Sequence, residues 1–230
     1  MPGYQLPKKG SSSEKKFSVV GKYARPDKDN FVRHVAILQE DCEVSFGSQT
    51  RVWHMKPPLV AGEKTGQASP PDFQDCIVHA VSYLENLNEN DVAGIETALA
   101  DMDGLTQRAQ YCVHPAKEWI RDEVTNIKRF LKCSCAGFIL ECYEEGANII
   151  LLDTTEEHLP VVTLETLCSV YDSRLNNQAI RERYNLKGKA EDGWKIVLAG
   201  YVMHALDRSS AEVRQVPHVV QGISEAGFPN

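Results

Sequence analysis

Apolar and polar positions change their period along this chain. The segment 1–16 is polar and basic, with Gly10 followed by three serines, and reads as a flexible arm. Over 17–53 the pattern is strand-like. Phe17, Val19, Val20 and Tyr23 make a β-rich run that ends at Arg25-Pro26-Asp27. A second run covers 31–38. A third alternates Cys42, Val44 and Phe46 with Glu43 and Ser45, the two-residue period of a half-buried strand. Thr50 to His54 supplies a fourth, so a small antiparallel sheet is predicted. Residues 56–71 break the pattern with Pro57, Pro58, Gly62, Gly66, Pro70 and Pro71, and read as a loop or linker.

From residue 72 the period becomes helical. Asp72 is placed to cap a helix with Phe73, Ile77, Val81 and Leu84 on one face. Asn88 or Asn90 caps a second, striped by Val92, Ile95, Leu99 and Met102 and stopped at Gly104. Pro115 opens a third, with Trp119, Ile120, Val124, Ile127 and Leu131 aligned. A break is expected at 133–137, after which Phe138 to Cys142 resumes and Gly146 stops it. The run Ile149 to Leu152 reads as a buried strand or an extended crossing segment. Further helices are expected from Pro160 (Leu164, Leu167, Tyr171, Leu175), over 178–184, and from Asp192, where Trp194, Val197, Leu198, Tyr201, Val202 and Leu206 are wide-faced and central to the core.

Strands come first and helices follow, so the predicted class is α+β: a small N-terminal antiparallel β-rich piece, then a predominantly helical body, with mobile tails at both ends. The expected organisation is a basic arm at 1–16, a β-rich subdomain at 17–56, a linker loop at 57–71, a helical domain at 72–208 and a flexible tail at 209–230.

Composition alters this picture little. The chain has 230 residues, 42% hydrophobic and 25% charged, which excludes disorder throughout and low-complexity classes. No apolar run approaches the ~20 residues that span a bilayer. The first residues lack the apolar core of a secretory signal, and the seven cysteines are odd in number and irregularly spaced. Reduced thiols in a cytoplasmic setting are therefore expected.

Charge adds more. The formal net charge is −7, yet residues 1–28 carry seven Lys and Arg against Glu14 and Asp27. Between Thr65 and Gln107 there is no Lys or Arg, only Asp72, Asp75, Glu85, Glu89, Asp91, Glu96, Asp101 and Asp103 as charged residues. A basic arm thus precedes an acidic block. Such charge runs are ordinarily solvated surface. In the functional alternative the arm docks on a neighbouring subunit or on phosphates.

Four constellations bear on chemistry. Cys112, His114, Cys133 and Cys135 offer a Cys₃His set for zinc, but one residue between ligands is short, and a helix between the pairs would part them by ~27 Å. No metal and no cofactor are therefore expected. Cys76 and His79 sit one helical turn apart, without the glycine-rich elbow a nucleophile needs. Asp153, Glu156, Glu157 and His158 resemble a divalent-metal edge, and a solvated loop is the plainer reading. Phosphate-binding glycine motifs are missing. Finally, Arg174, Arg181, Arg183, Lys187 and Lys189 lie near Tyr171 and Tyr184, and Lys128, Arg129 and Lys132 near Trp119 and Phe130. Cations interleaved with aromatics suit a groove that neutralises phosphate and stacks bases.

The expected function is that of a non-enzymatic structural protein, a homo-oligomer that self-associates and packages RNA or another polyanion as nucleoproteins and capsid proteins do. The alternatives are a cytosolic enzyme with a site near the 57–71 loop, using Cys76, His79, Asp153 or His158, and a zinc-dependent interaction module.

Overall fold

The computed structural model describes residues 17–25, 29–40, 50–55, 62–66 and 78–222. Five strands form the N-terminal sheet: β1 (Phe17–Arg25), β2 (Asp29–Glu40), β3 (Thr50–His54), β4 (Gly62–Gly66) and β5 (Val78–Ser82), in the order β4-β3-β2-β1-β5. All neighbours are antiparallel. The register sets Val19 opposite Ile37 and Ile37 opposite Trp53. With Phe17 and Val35, these residues are buried in one cluster with residues of the helical body. Val20, Ala36, Leu38 and Val52 on the alternate positions are buried as well, which is why 35–38 reads as a continuous apolar run. A bulge interrupts β2: Lys22 pairs with His34 and Tyr23 with Val32, leaving Arg33 as the extra residue.

The rest of the chain holds α1 (Glu89–Leu105), β6 (Thr106–Tyr111), β7 (Lys117–Arg121), β8 (Lys128–Cys133), α2 (Cys135–Ala147), β9 (Val161–Val162), α3 (Leu164–Val170), α4 (Gln178–Arg183), β10 (Trp194–Lys195), α5 (Ala199–Leu206) and α6 (Ser210–Gln215). Strands β6, β8 and β7 form a three-stranded sheet with β8 central; β9 and β10 pair alone. The central element is α2. Ten of its residues are buried, from Cys135 to Tyr143 and again at Ala147, and burial on every side marks a helix inside a core rather than upon it. The Ser134 side chain caps it by accepting the Gly137 amide, and Asn148 closes it in the left-handed conformation (φ 52°).

The α+β class and the strands at 17–25, 29–40 and 50–54 agree with the sequence reading. Several elements differ. The predicted strand at 42–46 lies outside the described residues, as do the arm at 1–16 and Cys76. The linker contains β4. The helix predicted from Asp72 is a strand where described, because 78–82 completes the ladder of β1.

The helix predicted from Pro115 to Leu131 is the β7–β8 hairpin. Asp122 Oδ1 accepts the amides of Val124 and Thr125, an Asx-type turn, and Asn126 takes φ 57°. Val124 and Ile127 fit the helical stripe by spacing alone; they are 93% and 65% exposed. The helix predicted from Asp192 begins at Ala199, since Trp194 and Lys195 pair with β9, although Trp194, Val197 and Leu198 are buried as expected. Where it is described, over 209–222, the tail expected from Ser209 has regular structure. It holds α6, started by a reciprocal capping box between Ser209 and Glu212, and a bridge from Leu152 to His218.

Candidate active site

Cys135 is the first residue of α2, and Ser134 is its cap. Burial pushes the Cys135 thiol pKa up, and the nearby backbone of Val35, Ala136 and Cys135 and the Tyr111 side chain pull against it. A helix N-terminus adds the same bias toward a thiolate. The helix can reach this position because residue 137 is glycine: a Cβ there would lie 1.8 Å from the Ala116 carbonyl oxygen.

The Val35 backbone belongs to β2, the strand that carries His34. Val35 turns its side chain into the cluster that contains α2, so the alternation of the strand sets His34 on the opposite face. There His34 Nε2 lies 3.3 Å from Nδ1 of His54 on β3, with the rings edge to face at 78°. His54 is buried and His34 half-buried. The bulge at Arg33 adjoins His34, the position at which a strand can re-aim a side chain. The thiol at the helix start and the imidazole pair are therefore two separate clusters on opposite faces of the sheet.

Tyr111, at the end of β6, forms the wall on the other side. Its ring meets that of Tyr184 edge to face at 5.8 Å. Burial, then Cys135 and Tyr171, push its hydroxyl well above the usual phenol range, so at neutral pH it is a donor.

The residues singled out in the sequence distribute differently. Cys112 and Cys133 are backbone partners, with the Cys112 amide donating to the Cys133 carbonyl at 3.2 Å. The intervening hairpin thus removes the helical separation that counted against a shared site. Even so, the Cys112 thiol donates to the Pro115 carbonyl at 3.3 Å, and burial raises it to about 11. The His114 carbonyl accepts the Asn185 amide. Among the described residues no group of three or more His, Cys, Asp or Glu is arranged to hold a metal ion, at Cys112, His114, Cys133 and Cys135 or at Asp153 and its neighbours. Asp153 instead pairs with His158 at 2.6 Å. His79 lies on β5.

Of the eight cations expected to meet nucleic acid, four have partners within the chain. Arg174 pairs with Asp172, Arg129 with Asp122 and Lys128 with Glu145. Arg181 donates to the carbonyls of Leu175 and Asn176. Arg183, Lys187 and Lys189 are exposed, and Lys132 is half-buried.

Sequence reasoning missed the place of Cys135 at a helix start and passed over both His34 and His54. The available signal was a capping serine followed by cysteine at the first position of an apolar helix. No family model, curated protein or solved structure matches this chain, so the reading of the site rests on its own geometry.

Proposed function

We propose that this protein binds a polyanion, RNA being the expected one. The observation that carries this reading is a group of three cations, Arg183 at the end of α4 and Lys187 and Lys189 around the Gly188 turn (φ 96°), all exposed and in no ion pair among the described residues. Exposed cations grouped in this way are placed to neutralise phosphate.

The ultraviolet absorbance ratio of the purified protein, read together with its mass in solution, tests for co-purified nucleic acid. The expected result is a raised ratio that the combined Arg183→Glu, Lys187→Glu and Lys189→Glu variant loses. A ratio of protein alone, with no retention of single-stranded RNA at low salt, overturns the proposal.

A further inference from the structure

The β7–β8 hairpin ends in a rigid apolar tip. The Asp122 carboxylate holds the amides of Val124 and Thr125, and Arg129 pairs with the same carboxylate. Arg121 donates to the Asn126 carbonyl at 3.0 Å. The turn is thus tied from both strands, and it presents Val124 and Ile127 to solvent. A β-branched residue exposed at 93% on a braced turn gains nothing for its own fold, whereas exposed apolar groups on a rigid element suit docking.

Beside the tip lies an open cleft of about 420 Å³ between α1 and the hairpin. Ala98, Met102 and Trp119 give it an apolar floor, and Thr97, Asp101, Lys128 and Glu145 line it too. Lys128 lies over the Trp119 ring at 4.5 Å and pairs with Glu145, which fixes that wall. Tip and cleft share the hairpin: Ile127 is followed directly by Lys128, and Trp119 precedes Asp122 by ~10 Å of strand.

We infer that the tip of one copy seats Val124 and Ile127 in the cleft of a second copy, and the second reciprocates, giving a two-fold dimer through the hairpins. Two observations select a second copy as occupant. The chain carries both halves of the contact within one hairpin length, which an isologous interface requires. The charges are complementary as well. Helix α1, which walls the cleft, carries Glu89, Asp91, Glu96, Asp101 and Asp103 with no Lys or Arg, whereas the hairpin carries Lys117, Arg121, Lys128, Arg129 and Lys132 against Glu118, Asp122 and Glu123, an excess of two positive charges. Reciprocal docking sets each acidic helix against the opposite, net-basic hairpin, and the apolar tip supplies the buried centre. The dimer is independent of polyanion binding.

Sedimentation equilibrium of the full chain from about 1 µM to about 1 mM tests this. A mass rising to twice the 25.7 kDa of the chain is expected, and Val124→Glu with Ile127→Glu should return it to one chain. Thr97→Arg, an exposed change at the cleft, should do the same from the other side. Mixing Thr97→Cys with Val124→Cys protein under oxidised glutathione should yield a cross-linked peptide pair joining 97 to 124. A single-chain mass across the range overturns the inference, as does a dimer that both the tip and the cleft variants leave intact.

Discussion

Gly94 of α1 and Gly146 of α2 meet backbone to backbone: a Cβ built on Gly94 would lie 1.8 Å from the Gly146 carbonyl oxygen, and one on Gly146 would lie 2.6 Å from the Ile95 Cα. The two helices cross where neither has a side chain, and this closeness lets Ile95 and Leu99 reach the core around α2. Neither obstacle is a flexible side chain that could swing aside. Gly94→Ala must therefore part the helices. A loss of ~3 kcal/mol is expected, at the upper end for overpacking, and urea unfolding monitored by circular dichroism would read it. A stability unchanged within ~0.5 kcal/mol would show that the crossing is looser than described.

The hairpin is anchored to α2 by a buried carboxylate. Glu141, 3% exposed, accepts from Lys117 Nζ at 2.7 Å and from the Trp119 indole. Lys117 also pairs with Glu144. Burial alone would lower the lysine pKa, but the two glutamates prevail and raise it. Lys117→Met removes the cation and leaves the carboxylate with one donor. The expected cost is ~3–5 kcal/mol, the penalty for an uncompensated buried charge. Lys117→Met combined with Glu141→Leu should recover much of it, since a well-packed apolar pair replaces an ion pair at little cost. Denaturant midpoints of the two singles and the double complete the cycle.

How far the sequence discloses this molecule depends on where each element finds its partner. Strands β1, β2 and β3 follow one another and pair in order, so the β-branched run at 35–38 and the turn at Pro26 suffice to read them. The helices at 89–105 and 178–183 carry their own caps and stripes. The hairpin misleads because residues 120, 124, 127 and 131 satisfy a helical period by coincidence, while the deciding facts are the Asp122 turn and the pairing of β8 with β6. Strand β5 takes its conformation from β1, nearly 60 residues earlier. The candidate clusters are the least legible part. His34 and His54 become neighbours only through the β2–β3 register, and Cys135 meets the other face of that sheet only because α2 packs there. Nothing in the spacing of 34, 54 and 135 announces the arrangement.

Acid should reveal a different pair. Asp153 is held low, to about 2, by the Thr155 side chain first, then by the Thr155 amide and His158. A carboxylate whose folded pKa lies below its unfolded value of about 3.9 stabilises the fold above that pH. That contribution fades as pH falls from about 4 toward 2. In Asp153→Asn, where nothing titrates at this position, the stability curve should be flatter across that window and lower than wild type at neutral pH. Thermal unfolding at a series of pH values gives the comparison. Parallel curves for the two proteins between pH 4 and 2 would mean that the carboxylate is not held low.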